Sequence, residues 1–251
     1  KALTAEEELK TIELPNGYSL ELVLSDPIIK EPTAIAFDGN GKMYIVEMRT
    51  YMQDIDGTDE LTPKSRISLH ESTKGDGVYD KHSVYLDNIL LPRMVLPLDD
   101  RVLVGITDTN DITLHRDANG DGVADEQAPW YVGGPRGGNM EHQPSGLVWG
   151  LDNWIYTTYN AFRIRWTPTG FLRERTGPNG GQWGLAMDND GKPWFVDAGG
   201  ERGPMNFQYP IQYGAFTPCP PAPAGAAPDP NCPAGMENGF EKDFAVVWPA
   251  P

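Results

Sequence analysis

The chain has 251 residues, 39% of them hydrophobic, which is enough for one or two domains with a core. Its formal net charge of −16 argues against a nucleic-acid partner, whose phosphates would be repelled. No stretch of 18 apolar residues is present, so no transmembrane segment is predicted.

The first 30 residues are predicted to form a leader segment. Residues 12–25 contain a Pro-Asn-Gly turn followed by alternating apolar and polar residues, which is the pattern of a strand. The chain opens at Lys1 without a hydrophobic leader, as a mature exported protein would. The expected location is therefore periplasmic or otherwise extracytoplasmic.

Residues 31–215 contain a repeat. Each copy has an apolar strand, a turn rich in Asp, Asn and Gly, and a second strand of apolar and aromatic residues. The four copies are residues 31–47, 91–106, 143–158 and 181–196. Two-strand units that recur about every 40 to 60 residues are typical of an all-β fold, the β-propeller. Its blades stack because one blade cannot bury both faces alone.

The four predicted inner hairpins make about three and a half blades, whereas a propeller closes with about four to eight. We therefore expect a part of a six-bladed or larger propeller, with another polypeptide segment supplying the remaining blades. The leader strand is expected to close the last blade, as such strands commonly do in propellers.

Residues 66–80 and 111–125 also match each other, which predicts equivalent outer strands. The second of these segments ends in a loop, residues 117–125, with oxygen-bearing side chains at loop positions 1, 3, 5 and 9 and glycine at position 6. This spacing can wrap a calcium ion. The predicted ligands are Asp117, Asn119, Asp121, the carbonyl of Val123, and Asp125. The alternative is a turn held together by its own hydrogen bonds, which is also expected for the sister loop at residues 72–80.

His142 precedes an inner strand, where propeller side chains reach the functional end of the fold, and a histidine there can serve as a general base. A structural histidine is the alternative. His70 and His115 occupy equivalent positions in the outer-strand match and are predicted to pack in the blades, whereas His82 is predicted in an exposed loop.

Polar residues cluster at the predicted ends of the inner strands, where a propeller binds small anionic or polyhydroxylated ligands. They are Glu47, Arg49, Arg93, Asp108, Asn160, Arg163 and Asp197.

The last segment, residues 216–251, is a Pro- and Ala-rich loop and the start of a further blade. A disulfide between Cys219 and Cys232 is predicted to staple this loop; two free thiols are the alternative. No Cys-x-x-Cys-His motif is present, so no covalent haem is predicted in this chain.

The stretch from His142 to Asn160 resembles the His-Gln-x-Gly segment of soluble glucose and sorbosone dehydrogenases. These are six-bladed propellers that use pyrroloquinoline quinone (PQQ) and calcium. More closely, residues 10–210 resemble the N-terminal half of the "membrane-bound dehydrogenase" propellers of planctomycetes. Phe37-Asp-Gly-Asn-Gly-Lys-Met-Tyr-Ile-Val-Glu-Met-Arg49 carries part of that resemblance.

The resemblance implies a PQQ-dependent sugar or alcohol dehydrogenase that passes electrons to a c-type cytochrome. It makes His142 the base that takes the substrate hydroxyl proton. It places Arg49, Arg93, Gln143 and Asn160 around the substrate or cofactor.

An alternative function stays open at this point. Gly180 and Gly181 replace an Arg-Asn pair that holds the cofactor in the glucose enzymes, and residues 199–206 lack most of the carboxylates of the family's calcium loop. These departures favour a calcium-binding propeller without catalysis, acting as an accessory or binding subunit of an electron-transfer or surface assembly.

Overall fold

The structure is a computed structural model that describes residues 2–160, 162–177, 179, 183–196 and 208–213. The fold is all-β and of the β-propeller type, with four blades in the described chain, as the repeat predicts. The chain divides into two units. The first contains residues 1–106 and 112–130, and the second contains residues 107–111 and the chain from residue 131 onward.

The first unit holds two four-stranded antiparallel sheets. They are built from β1 (Pro32–Phe37), β2 (Met43–Glu47), β3 (Ser65–Glu71), β4 (Lys81–Ile89), β5 (Pro92–Leu98), β6 (Arg101–Ile106), β7 (Ile112–Arg116) and β8 (Glu126–Tyr131), in the orders β1-β2-β3-β4 and β5-β6-β7-β8. Strands β2 and β6 lie inside the sheets, so both of their edges are hydrogen-bonded to neighbouring strands, and their side chains are packed as well. Ile45, Val46, Leu103 and Val104 are accordingly buried.

The second unit holds the other two blades. One has β9 (Val148–Trp149), β10 (Ile155–Tyr156), β11 (Phe162–Thr167) and β12 (Gly170–Arg175); the other has β13 (Leu185–Met187), β14 (Pro193–Val196) and β15 (Gln208–Pro210). Trp154, Tyr156, Phe195 and Ile211 form a shared core between these two sheets. All four predicted inner hairpins are therefore present.

The aspartates of the hairpin turns explain why the repeat is visible in the sequence. The carboxylate of Asp38 accepts hydrogen bonds from the N–H groups of Asn40 and Lys42, at 2.8 and 2.9 Å. Asp188 does the same for Asp190 and Lys192, at 3.0 and 2.9 Å. Each of these two turns satisfies its own backbone groups by local hydrogen bonds, so the same residue types appear in both hairpins.

The leader strand predicted at residues 12–25 is not assigned in the described chain, and its closure of a last blade stays a prediction. Residues 5–9 form a short helix, α1 (Ala5–Leu9), and no strand is assigned before Pro32 in the described chain. A strand needs a neighbouring backbone for its N–H and C=O groups, and residues 12–25 have none there. The apolar side chains that suggested a strand, such as Tyr18 and Leu22, are exposed instead. Within the residues described, no helix is long and apolar enough to cross a membrane.

The histidines of the outer strands pack as predicted. His70 and His115 are both buried, and each has a ring nitrogen beside a hydroxyl two residues earlier: Ser68 at 2.9 Å and Thr113 at 2.8 Å. His82 is exposed as predicted, but it lies on strand β4 rather than in a loop, directly across from His70. Their Nδ1 atoms are 2.9 Å apart.

This histidine pair makes stability depend on pH. Burial, together with the nearby His82 ring, lowers the pKa of His70 to about 4. Unfolded histidine titrates near pH 6.5, so unfolding takes up a proton below that pH. We expect the free energy of unfolding to be highest above about pH 6.5 and to fall by up to about 3 kcal/mol toward pH 4. Urea denaturation at pH 7.0, 5.5 and 4.5 measures it. His70→Gln should flatten this pH dependence, and an unchanged slope in that variant would contradict the assignment.

Candidate functional site

The predicted site residues fall in both units. Arg49 and Arg93 belong to the first unit, whereas His142, Gln143 and Asn160 belong to the second.

In the second unit, a glycine-rich loop at residues 133–142 is fastened to residues 107–111. The Asp111 carboxylate accepts hydrogen bonds from the N–H groups of Gly133 and Gly134, both at 2.8 Å. A Cβ atom on Gly133 would lie 2.6 Å from the Asn110 Cβ and 2.7 Å from its carbonyl oxygen, so only glycine fits this approach. The loop is thus fixed at its start by backbone contacts.

Gln143 fixes the other end of the same loop. Its side chain is 1% exposed. The amide oxygen accepts the Asp108 N–H at 2.7 Å, and the amide nitrogen donates to the Asp108 carboxylate at 2.8 Å. Because the amide is buried and used in this reciprocal pair, we assign Gln143 a positioning role instead of the predicted contact with a ligand.

His142, next to this anchor, is exposed. Its ring centre lies 6.3 Å from that of Tyr159, with the two planes inclined by 36°. The Arg136 guanidinium lies over the same tyrosine ring at 5.0 Å and donates a hydrogen bond to the His142 carbonyl at 3.2 Å. An imidazole, a phenol and a guanidinium therefore lie together on one surface of the second unit.

Asn179 holds the tyrosine in place. It is buried, and its side-chain oxygen accepts the N–H of Tyr159 at 2.5 Å. Its amide nitrogen donates to the carbonyls of Thr157 and Asn160, at 3.2 and 2.9 Å. Tyr159 has φ of +61°, a left-handed conformation that is uncommon for an aromatic residue and needs such support. Asn160 is half-buried in the same turn.

In the first unit, Arg93 is buried at a β-bulge, where the register between β5 and β6 shifts from Pro92 to Met94. The inner hairpin of the preceding blade has the same irregularity between Pro32 and Ala34. Bulges often re-aim a side chain beside a site. Arg49 is half-buried after strand β2 and lines a cleft of about 650 Å³.

Arg163, which the sequence placed among the pocket-lining polar residues, is instead a buried part of its blade. Its guanidinium binds Asp152 at 3.0 Å, Glu174 at 3.0 Å and the Tyr156 hydroxyl at 2.9 Å, and lies 4.4 Å from the Trp154 ring centre. Burial opposes its charge, but the hydrogen bonds to Tyr156 and Glu174 outweigh burial and raise the pKa of Arg163. Its role is structural.

The predicted calcium loop, residues 117–125, is held by hydrogen bonds between its own side chains and its own backbone. Asp117 uses both carboxylate oxygens to accept N–H groups of the loop, including that of Gly122 at 2.8 Å. Asn119, Asp121 and Asp125 each accept one more backbone N–H, at 2.9 Å. These bonds alone account for the shape of the turn.

The sister loop at residues 72–80 is built in the same way. Thr73 donates its N–H to Asp80 at 2.9 Å, as Ala118 does to Asp125. Val78 donates to Asp76 at 3.0 Å, as Val123 does to Asp121. Because the sister loop has Lys74 in place of Asn119, the shared shape does not depend on a cation.

This loop offers a calcium ion only part of the oxygen ligands that it takes. One carboxylate oxygen each of Asp121 and Asp125 makes no hydrogen bond within the described residues, and both side chains are exposed. No group of three or more His, Cys, Asp or Glu residues there is arranged to hold a metal. Calcium takes about 6–8 oxygen ligands, so a bound ion would need the Val123 carbonyl and several waters.

Three residues of the second-unit cluster were not predicted from the sequence: Arg136, Tyr159 and Asn179. The run Gly-Gly-Pro-Arg-Gly-Gly around Arg136 is the one local signal, since glycines on both sides permit a close backbone approach. Several predictions lie outside the described residues: the disulfide between Cys219 and Cys232, the changes at Gly180 and Gly181, and Asp197.

Comparison with solved structures supports the fold. A gluconolactonase, XC5397 from Xanthomonas campestris, superposes with a TM-score of 0.50 at 12% identity, covering 78% of this chain and 61% of that one. The PQQ domain of pyranose dehydrogenase from Coprinopsis cinerea superposes with a TM-score of 0.49 at 12% identity, covering 79% of this chain and 51% of that one. A luciferin-regenerating enzyme superposes with a TM-score of 0.47 at 11% identity, covering 71% of this chain and 60% of that one.

At 12% identity the likeness to the gluconolactonase shows the fold alone. The chain spans between 51% and 61% of the length of these three structures. No curated protein matches the sequence. A family model matches residues 4–218, and the chain belongs to the family that it describes, "Domain of unknown function (DUF7133)".

Proposed function

We propose that this chain is part of a sugar or alcohol dehydrogenase propeller in which His142 is the general base. One observation carries the proposal: an exposed imidazole stands on a loop that is fastened at both ends, by Asp111 and by the buried Gln143–Asp108 pair. A general base has to be reachable by substrate and also held still. His142 meets both conditions.

In the proposed reaction, a ring nitrogen of His142 takes the proton of the substrate hydroxyl. Arg136 and Tyr159 bind and orient the oxygen-rich part of the substrate or cofactor, and Asn179 keeps the tyrosine turn in place. The carbon that carries the hydroxyl loses a hydride as its C–O bond becomes a carbonyl, so a two-electron acceptor is required.

The chemistry of the cluster fits an anionic quinone such as PQQ. The Nε atom of Arg136 is buried and has no hydrogen-bond partner in the described chain, so this donor is unsatisfied there. A guanidinium beside an aromatic ring suits a planar polyanion. When bound, the quinone would accept the hydride, and its electrons would pass on to a c-type cytochrome.

The remaining features of the proposal follow from the resemblance. Another polypeptide segment would supply further blades, and Asn160 would line the substrate pocket beside His142. The protein would work in the periplasm or another extracytoplasmic compartment.

The proposal is tested with the complete protein and a dye as final electron acceptor. We expect sugar or alcohol oxidation that depends on PQQ, either carried by the isolated protein or added, measured as dye reduction with a panel of aldoses, polyols and primary alcohols. Absence of turnover with and without PQQ across the panel would contradict the dehydrogenase and favour a propeller that binds without catalysis.

Calcium binding at residues 117–125 is a separate proposal with its own test. With about 10 mM calcium and a dissociation constant near 1 mM, we expect about 1.4 kcal/mol of stabilisation, or a few degrees in Tm. The double variant Asp121→Asn, Asp125→Asn should lose this shift, and chelator should reverse it. The matched variant of the sister loop, Asp76→Asn, Asp80→Asn, should keep it. A shift of equal size in both double variants would contradict the site.

A further inference from the structure

The first unit has a cleft beside the end of strand β2. It has a volume of about 650 Å³, and its lining includes Asp26, Lys30, Glu31, Arg49 and Gln53. Small-molecule sites commonly measure about 300–1,000 Å³, so the cleft has the size for a small-molecule ligand.

The walls of this cleft are held by hydrogen bonds. The N–H of Lys30 donates to the Glu47 carboxylate at 2.9 Å, and the N–H of Met48 donates to the Glu31 carbonyl at 3.0 Å. On the other side, the N–H of Arg49 donates to the Ser65 hydroxyl at 3.1 Å. The cleft is therefore preformed and does not have to be created by a ligand.

The charge of Arg49 is left without a counterion. Arg49 is half-buried as a residue, and within the described ranges its guanidinium makes neither a hydrogen bond nor an ion pair. The buried carboxylate two residues earlier, Glu47, is already used by the Arg66 guanidinium at 2.9 Å and by the Lys30 N–H. A half-buried cation that its own protein does not neutralise favours an external anion.

We propose that this cleft binds a small hydroxylated carboxylate, such as a sugar acid. The Arg49 guanidinium would pair with the carboxylate, and the exposed Lys30 ammonium would add a second positive charge. Asp26 and Glu31 are exposed and form no ion pair with Arg49 among the described residues, so their oxygens can accept hydrogen bonds from ligand hydroxyls. This site lies within the first unit and does not depend on His142.

Isothermal titration of the complete protein with gluconate tests the proposal, and sorbitol is the matched neutral probe because it differs only in the anionic end. We expect gluconate to bind in the millimolar range or tighter, and sorbitol and inorganic phosphate at least tenfold more weakly. Failure of gluconate to bind would overturn the site. If sorbitol binds as tightly as gluconate, the role of charge is overturned. If phosphate binds as tightly as gluconate, the role of the hydroxyl contacts is overturned.

Variants locate the binding. Arg49→Gln should weaken gluconate binding at least tenfold, whereas Arg101→Gln should leave it unchanged, since Arg101 is an exposed arginine of the same unit that pairs with Asp100 at 2.8 Å. If Arg49→Gln does not fold, Gln53→Glu serves instead. It places a repelling carboxylate at an exposed position of the lining and should also weaken binding at least tenfold. Unchanged affinity in the Arg49 variant, or in the Gln53 variant that replaces it, would overturn the proposal.

Discussion

Replacing His142 by glycine is expected to lower kcat of the complete, quinone-supplied protein about 10²- to 10⁴-fold, which is the usual contribution of a general base. The loss should fall on kcat more than on KM, because the imidazole acts on the reacting proton. Added imidazole should restore part of the rate, since the vacated position is exposed. Steady-state kinetics with and without imidazole measures both effects.

The same variant should fold normally. His142 is exposed, and its ring contact with Tyr159 spans 6.3 Å, so the free energy of unfolding should change by less than about 0.5 kcal/mol. Tyr159→Leu is the matched test of the neighbouring ring: it should raise KM and leave the pH profile of kcat unchanged. Wild-type turnover by His142→Gly, without imidazole, would remove His142 from the mechanism.

The largest stability effect is expected at Glu47. Its carboxylate is fully buried, and it binds the Arg66 guanidinium at 2.9 Å and the Lys30 N–H at 2.9 Å. Glu47→Ala removes one partner of this ion pair and leaves a largely buried cation and a backbone N–H without their acceptor. Breaking such a pair costs about 3–5 kcal/mol. Urea denaturation of the variant and of the parent protein measures the difference.

A matched surface pair provides the control. Glu126 lies 3.4 Å from the Arg116 guanidinium, and both side chains are substantially exposed. Glu126→Ala should therefore cost less than about 1 kcal/mol, as exposed ion pairs do. If Glu47→Ala lowers the free energy of unfolding no more than Glu126→Ala does, the buried Glu47–Arg66 pair does not stabilise the fold as its contacts indicate.

The blades could be predicted from the sequence because their signals are local. The turn Asp38–Lys42 satisfies its own backbone groups, and the same kind of turn at Asp188–Lys192 marks another hairpin. His70 and His115 were predicted correctly for a similar reason: each bonds a hydroxyl two residues away in the same strand. The leader strand is not assigned, because an alternating pattern does not specify a partner strand and the described chain provides none.

The site was harder to predict because its contacts join distant parts of the chain. Asn179 binds residues about 20 positions earlier, and Gln143 pairs with a residue 35 positions earlier. No spacing rule connects such residues. Asp117 shows a different limit: its pattern suits calcium, but the same oxygens serve the turn itself, and the sequence does not separate the two uses.

Native mass spectrometry of the complete protein as isolated tests the central claim, a quinone-dependent dehydrogenase propeller, most directly. The account predicts one quinone-sized mass per protein molecule, released on denaturation together with a quinone absorption band. A protein that carries no such mass, and takes up none after incubation with PQQ, would contradict the dehydrogenase function and leave a propeller that binds without oxidising.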